Sequence, residues 1–569
     1  MQRMKQEVLN GLLCILAIAG SVLQWEVQGA AKLLMTLLAA AVLTEGAAHV
    51  RAEKRIHQTA WMLGFLLAAF LVVGREINRY ETIERLITMS YLPKTALRFA
   101  GMTVLMYSAL KWILHVCVKP HKPSIRYQPK LWMIWLAIFV CWIPYLIVFY
   151  PGCLSFDSLR EINILLGLEP LSNHHPIIHQ WTMAPFVWIG QTIGSLETGI
   201  AMYSLFQMAA MSLIYAVAIH QLGKRGLSLW LQILLIAFYG LNTINAFYSI
   251  TAWKDILFGG FTLLLMLVLT KLSCEDRQPL RFWLGLTALL FLFSIYRNNG
   301  YYVFLLALPL YLLFNRKVWK PLLAVAAAVV VLVNSYQFLI FDILGAKESA
   351  SGEMLSVPMQ QIARTLMYHR DSVTEEEQEI LSEVFTSLPE VRRVYHPHLA
   401  DHVKDLFLSE VFDENPGRYL RVWLKIGLRN PIVYVDAFLY QCHGYWYPDV
   451  PYQAVWSKIL NNTLGLSTNE TAATAFLRET HLALEASKLP GLLYRPATFV
   501  WLVLLALAIL ICKRRSKLAA PMLFLLGLWL TTLLSPVYAE TRYLYGVMVS
   551  APIYLGIALT ESPQKDKAS

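Results

Sequence analysis

Four ionisable side chains follow directly after a long apolar segment of the chain. The stretch YPGCLSFDSLREINILLGLEPLSNHHPIIHQ (150–180) contains Asp157, Glu161, His174 and His175. A carboxylate in such a place can take the proton of a hydroxyl group that attacks a substrate. The alternative interpretation is structural, because an Asp at a helix start also serves as an N-cap residue. Both interpretations remain open for Asp157 on the local sequence.

The two adjacent histidines are poor candidates for a joint metal site. They precede a proline, and neighbouring residues in an extended segment point in opposite directions. Either ring can instead donate a hydrogen bond to a phosphate or hold an acceptor hydroxyl.

Three isolated cations occur at the ends of later apolar runs. Lys254 lies in SITAWKDILF, Arg297 lies in SIYRNNGYY, and Arg542 lies in AETRYLY. Taken one at a time, a terminal lysine can extend its ammonium toward water and an Arg-Asn-Asn-Gly turn can satisfy backbone groups. Together at one membrane depth, three cations have the charge that a phosphate or pyrophosphate requires.

The composition indicates a membrane protein that positions these residues on apolar helices. Of 569 residues, 57% are hydrophobic and 15% are charged, and the mean hydropathy is +0.50. The formal charge of +11 comes from lysines and arginines in short loops between apolar runs, so no nucleic-acid partner is expected. The seven cysteines show no CxxC spacing, which indicates neither a zinc site nor a disulfide framework.

Apolar runs of membrane-crossing length predict an all-α polytopic protein with about 14 transmembrane helices. The predicted spans are 8–24, 31–48, 59–74, 95–118, 131–149, 199–222, 228–247, 255–272, 282–296, 301–314, 321–341, 496–512, 518–535 and 544–560. If each crosses once, the basic loops HVRAEKRIHQ, KPHKPSIRYQPK, GKRG, NRKVWK and CKRRSK and the tail QKDKAS share the cytoplasmic side. The candidate acid and cations then face the opposite side.

Four regions follow from this topology. Residues 1–130 are N-terminal transmembrane helices, and 131–341 form a transmembrane core with an outer loop at 150–198. Residues 342–494 form an extracytoplasmic domain, in which TEEEQEILSEVF and HPHLADHVKDLFLSEVF predict amphipathic helices. Residues 495–569 are C-terminal transmembrane helices. Within the outer loop, PIIHQWTMAPFVWIGQTIG predicts a helix that lies on the membrane surface.

The order of these motifs resembles that of the C-type (GT-C) glycosyltransferases, which are integral membrane enzymes. Members of that superfamily have an acidic residue and then a His-Pro element in the first outer loop, here Asp157 and HHP at 174–176. The set YPGCLSFDS, SNHHPIIH, WKDILFG, YRNNGYY, VPMQQIAR and AETRYLY resembles more closely an uncharacterised family found mostly in Gram-positive bacteria. This closer resemblance begins near residue 130.

The resemblance implies a fold, an activity and partners. The fold is GT-C-like, and a sugar passes from a polyprenyl-phosphate carrier to a cell-envelope glycan, lipid or protein on the outer face, with inversion suspected. Asp157 is the general base, and the candidates for the donor phosphate are Arg297, Lys254, Arg542 and His175. No essential metal is expected, because Ser158 follows Asp157 where some relatives have a second acid.

Eight further residues are candidates for binding the acceptor or the sugar. They are polar or aromatic and lie on the predicted outer side: His174, Glu161, Asn173, Asn298, Gln360, Gln361, Trp446 and Tyr447. The alternative function is a transporter or flippase of a lipid-linked saccharide, which would place charges along a central cavity. A scaffold that presents the 342–494 domain is a third possibility. The uncharged middles of most spans favour the enzyme.

Overall fold

The structure is a computed structural model, and it describes residues 2–26, 29–50, 52–119, 128–450, 455–534, 536 and 540–560. Within these residues the chain is helical, without a β-strand, and only isolated bridges pair extended residues. The prediction of an all-helical protein is confirmed. The basic residues at 120–127 and the tail at 561–569 lie outside the described residues, as does Arg51.

The α-helices are numbered in chain order. The first group precedes the outer loop: α1 (Gln2–Trp25), α2 (Ala30–His49), α3 (Lys54–Tyr80), α4 (Glu84–Ile87), α5 (Leu92–Val118) and α6 (Leu131–Val148). The second group runs to the end of the core: α7 (Phe156–Leu165), α8 (Ile177–Thr192), α9 (Leu196–Lys224), α10 (Leu229–Leu241), α11 (Thr243–Ser249), α12 (Lys254–Cys274), α13 (Leu280–Ile295), α14 (Asn298–Phe314) and α15 (Trp319–Phe338).

The third group belongs to the 342–494 region: α16 (Ser356–Tyr368), α17 (Glu375–Val384), α18 (Leu388–Val394), α19 (Asp401–Lys404), α20 (Ser409–Glu414), α21 (Pro416–Arg429), α22 (Pro431–Cys442) and α23 (Ala472–Ala486). The last group is α24 (Pro496–Cys512), α25 (Ser516–Ala519), α26 (Met522–Leu534) and α27 (Tyr545–Leu559), with a short 3-10 turn at Thr541–Leu544 before α27.

Each of the fourteen predicted apolar segments is helical, and most are long enough to cross a membrane. Nine helices of the described residues qualify by length and composition, and the α10–α11 pair, bent by 54°, could make a tenth. The bend falls at Asn242, whose side chain accepts a hydrogen bond from the Ile244 amide and so starts a new helix. Four segments are shorter: Thr36–Ala48, Leu280–Ile295, Asn298–Phe314 and Pro496–Cys512. The helices suggest a membrane protein with several crossings.

The 342–494 region has its own apolar core around α16, α17 and α21, which includes Met359, Leu381 and Ile426. The first predicted amphipathic helix is present as α17. The second is divided into α19 and α20, because the chain between them pairs with residues 384–386. The Thr386 amide donates to the Leu406 carbonyl at 2.9 Å and the Leu408 amide donates to the Val384 carbonyl at 2.8 Å.

Basic residues from separate loops gather at one end of the helix bundle. Lys513 donates to the Ala558 carbonyl at 2.7 Å and Arg515 donates to the Thr560 carbonyl at 2.6 Å, which satisfies the end of α27. Lys317 and Lys517 both face Asp276, at 3.2 and 3.9 Å. Lys254 begins α12 at its other end, about 30 Å away along 21 residues. The basic loops and the candidate cations therefore lie at opposite ends of the same helices.

Candidate functional site

A short extended segment between α6 and α7 places the carboxylate of Asp157. The Cys153 amide donates to the Ile250 carbonyl at 2.9 Å, and the Ala252 amide donates to the Cys153 carbonyl at 3.2 Å. Gly152 permits this contact, because its φ is +139° and a Cβ there would lie 2.8 Å from the Ile250 oxygen. The segment before Asp157 is thus fixed to the segment before Lys254.

The N-cap interpretation of Asp157 is wrong. Helix α7 starts at Phe156, and the residue that precedes it, Ser155, occupies the N-cap position. The Ser155 amide donates to the Ser158 hydroxyl at 3.1 Å, and the Trp253 indole N–H donates to the Ser155 hydroxyl at 2.5 Å. The Asp157 carboxylate therefore remains available for contacts outside its own helix.

Arg542 is the closest partner of Asp157. One of its terminal nitrogens donates to Asp157 Oδ2 at 2.8 Å, and its Nε lies 2.6 Å from Glu540 Oε1. The guanidinium also stacks 4.8 Å above the Trp253 ring. Arg542 is therefore held between two carboxylates over an aromatic face, 385 residues away from Asp157 in the chain.

Lys254 reaches the same cluster through a histidine. Its ammonium lies 2.8 Å from His175 Nδ1, and His175 Nε2 lies 3.9 Å from Asp157 Oδ1. The His174 ring contacts the His175 ring edge to face, with centroids 4.6 Å apart. The expectation that the two rings point in opposite directions is wrong, because residues 173–174 form a turn and residue 175 a bend, so the segment is not extended.

Arg297 joins the cluster from the start of α14. It forms a close ion pair with Asp255, which is buried on α12. The Tyr543 ring lies between two guanidiniums, 4.9 Å from that of Arg297 and 4.9 Å from that of Arg542. The predicted acid, one histidine pair and three cations are thus brought together by packing.

Helix starts add to the positive potential of the cluster. Helices α7, α12 and α14 begin at or beside Asp157, Lys254 and Arg297. Each helix start has backbone N–H groups without partners in the helix and a partial positive charge. Anionic groups are therefore stabilised at this end of the bundle.

The charges of the cluster set the protonation states of its members. Burial acts to raise the pKa of the Asp157 carboxyl, but the charges of Arg542 and Lys254 outweigh it and hold the pKa well below its usual value. Burial and the Lys254 charge lower the pKa of His175 to about 2, so its ring is neutral and accepts from Lys254 at Nδ1. Burial raises the pKa of Glu540, partly opposed by Arg542.

A buried polar chain connects the segments that bear the cluster. Glu161 Oε2 lies 2.6 Å from His179 Nδ1, and His179 Nε2 lies 2.9 Å from the Tyr203 hydroxyl. The Tyr203 hydroxyl donates to Gln207 Oε1 at 3.1 Å, and Gln207 Nε2 donates to the Thr251 carbonyl at 2.8 Å. The chain runs from α7 through α8 and α9 to the backbone before Lys254.

Glu161 therefore lies in the interior, with 1% of its surface exposed, where it contacts His179. Sequence reasoning missed His179, Tyr203 and Gln207, and it also missed Trp253 and Tyr543. One signal was available, because His179 is an ionisable residue within the largely apolar stretch that forms α8.

The remaining predicted residues lie outside the cluster or at its edge. Asn298 is exposed at the first position of α14, beside Arg297. The backbone amide of Asn173 donates to the Lys347 carbonyl at 2.9 Å. Gln360 and Gln361 are buried in the 342–494 region.

Gln360 donates to the His396 carbonyl at 3.0 Å, and Gln361 donates to the Tyr434 carbonyl at 3.1 Å. Trp446 and Tyr447 belong to a buried apolar cluster with Phe70 of α3. The structure does not bring these four residues to Asp157, and a role in acceptor binding stays a prediction.

Acidic, histidine and cysteine side chains do not form a group of three or more that could hold a metal ion, in the part of the chain that the structure describes.

The chain belongs to a family of unknown function (DUF6020), whose sequence profile matches residues 168–569, more than half of its length. The matched range includes both histidines and the three cations of the cluster. It begins after Asp157 and Glu161. No curated protein and no solved structure matches the chain.

Proposed function

We propose that this protein is a membrane glycosyltransferase. It moves a sugar from a polyprenyl-phosphate carrier to a cell-envelope acceptor, in a GT-C-like arrangement of about fourteen membrane-crossing helices. The observation that supports the proposal is the convergence of Asp157, His175, Lys254, Arg297 and Arg542 at one helix end. The basic loops lie at the other end, so the cluster faces away from the cytosol by the positive-inside rule.

Lys254 is the principal ligand for the donor phosphate. Arg297 and Arg542 already face carboxylates, whereas no ion pair of the described residues includes Lys254. Its ammonium contacts the neutral His175 ring and stands at the start of α12, where helix N–H groups point toward an anion. Arg542 and Arg297 supply the surrounding positive field.

Asp157 acts as the base. The acceptor hydroxyl oxygen attacks the anomeric carbon, and its proton passes to the Asp157 carboxylate. The bond from the anomeric carbon to the phosphate oxygen breaks, and that oxygen leaves with the electron pair as polyprenyl phosphate. Attack opposite the leaving group inverts the anomeric centre, and the cations stabilise the charge that develops on the phosphate.

Donor binding strengthens this base. In the free protein, the charges of Arg542 and Lys254 keep the pKa of Asp157 low, so the carboxylate is a weak base. A phosphate at the same cations opposes their charge and raises the pKa of Asp157 toward its usual value. Proton transfer is thereby favoured only when the sugar donor is present.

The test replaces Asp157 in a strain that lacks this chain. Cell-envelope glycans, measured by mass spectrometry, should lose one component in the deletion strain and regain it with the wild-type gene. Asp157→Asn should restore less than about 1% of that component, since loss of a general base costs about 10²–10⁴-fold. Asp371→Asn, an exposed carboxylate of the 342–494 region, should restore it fully.

Full restoration by Asp157→Asn would contradict the proposed role, as would unchanged glycans in the deletion strain. Equal amounts of the variants in the membrane are confirmed by immunoblotting. If the protein were a flippase, its deletion would instead leave a complete lipid-linked saccharide on the cytoplasmic leaflet. The gathering of charges at one helix end disfavours that function.

A further inference from the structure

A cavity of about 380 Å³ lies between the N-terminal helices and the 342–494 region. This volume is within the range of about 300–1,000 Å³ that small-molecule sites occupy. Its walls come from the turn after α3, from α16 and α22, and from the end of α21. The residues that the inference uses are Glu84, Arg364, Tyr368, Arg429 and Asp436.

Two buried unlike charges face this cavity without pairing with each other. Arg364 is 6% exposed and Asp436 is 3% exposed. Arg364 donates to the Glu81 carbonyl at 2.5 Å and to the Tyr395 hydroxyl at 3.2 Å. Asp436 Oδ1 accepts from the Ile83 amide at 2.8 Å, and the Thr82 hydroxyl also donates to the Asp436 carboxylate. No ion pair of the described residues joins Arg364 to Asp436.

Both groups keep hydrogen-bonding capacity for a ligand. A guanidinium has five N–H donors and a carboxylate has about four acceptor positions, so the contacts described leave some of each unused. Because both side chains line the cavity, a ligand inside it can reach the unused positions.

We infer that this cavity binds a neutral saccharide unit. A saccharide has hydroxyls that donate to Asp436 and accept from Arg364. Asp436 and Glu84 would repel an anionic ligand, and Arg364 would repel a cationic one; Arg429 is already paired with Glu377. Tyr368 offers an exposed aromatic ring for stacking on a sugar face, with the Arg364 guanidinium 5.1 Å from its centroid.

The cavity also gives the N-terminal helices a role. Thr82 and Glu84 follow α3 and close one wall, yet they lie outside the range 168–569 that matches the family. The N-terminal region therefore completes a binding site on the domain that the family shares. This inference does not depend on transfer chemistry at Asp157.

The test uses the full-length protein in lauryldimethylamine oxide, a detergent without a sugar headgroup. Saturation-transfer NMR measures binding of glucose, galactose, mannose, rhamnose and N-acetylglucosamine, each as a monosaccharide. At least one should bind, and its affinity should fall by about tenfold or more in Asp436→Asn and in Tyr368→Ala, because each removes a direct contact. Glu410→Gln, an exposed acid of the same region, is the matched control.

The inference is overturned if none of the five sugars binds, or if binding is unchanged in both variants. Tyr368 is exposed, so Tyr368→Ala decides the result if Asp436→Asn loosens the turn at residues 82–84. Asp157→Asn should bind the sugar as the wild type does. Loss of glycan transfer with retained sugar binding therefore separates the proposed function from this site.

Discussion

At the scale of single residues, the neighbours of each charge decide what that charge can do. Arg297 is bound to Asp255, a carboxylate with 1% of its surface exposed. Lys254 contacts a neutral imidazole. The two cations were equivalent candidates in the sequence, but a phosphate gains more from the one whose charge is not already neutralised.

Replacing these two cations should therefore have different effects. Lys254→Met should lower the affinity for polyprenyl phosphate by about tenfold, the loss of one charge-assisted contact, with little change in melting temperature. Arg297→Met should mainly destabilise the protein, because a buried carboxylate without its partner costs about 3–5 kcal/mol. Titration of the purified protein with polyprenyl phosphate measures the affinity, and thermal unfolding measures the melting temperature. Unchanged affinity in Lys254→Met would remove this residue from the phosphate site.

At the scale of elements, three segments without regular structure place Asp157, His175 and Lys254. They precede α7, α8 and α12, and each ends on a residue of the cluster or beside it. The buried chain from Glu161 to Gln207 ties all three together. Glu161 is thus better described as a positioning residue than as an acceptor ligand, since it lies one helical turn beyond Asp157 and its carboxylate meets His179.

Substitution of Glu161 tests this positioning role. Glu161→Leu leaves the buried His179 without its acceptor, which costs about 1–3 kcal/mol, and should lower glycan formation at least tenfold without weakening the affinity for polyprenyl phosphate. Glu161→Gln keeps a carbonyl acceptor for His179 and should recover most of the activity. Glycan formation is measured in the complemented deletion strain, and the affinity is measured by titration with polyprenyl phosphate. Wild-type activity in Glu161→Leu would exclude the role.

At the scale of the whole molecule, the charges divide between the two ends of the helix bundle. The cluster lies at the start of α12, and exposed Cys274 lies at its end. Basic residues gather near Asp276 and Thr560 at the Cys274 end, so we predict that this end faces the cytoplasm.

Cysteine labelling in intact cells tests the orientation. Leu168 is exposed between α7 and α8, in the predicted outer loop. With Cys274→Ser as background, Leu168→Cys should react with a membrane-impermeant maleimide in intact cells. Native Cys274 should react only after the membrane is permeabilised. The reverse pattern would place the cluster on the cytoplasmic side.

The amino-acid sequence by itself determined the helical character and the division of charge. Apolar length and helix-compatible residues act locally, so all fourteen segments could be located from their composition. The end of each helix at which a cation lies is likewise a local property. For this reason, Lys254, Arg297 and Arg542 could be assigned to one side before their contacts were known.

Only the tertiary structure decided which of these residues meet. The contact of Asp157 with Arg542 spans 385 positions, and the burial of Gln361 and Trp446 depends on helices that the sequence does not pair. The local sequence around a polar residue near a helix end does not distinguish a residue that faces the cluster from one that faces an interior neighbour. Its partner is chosen by long-range packing, because the free energy of burying a polar group depends on the groups that surround it.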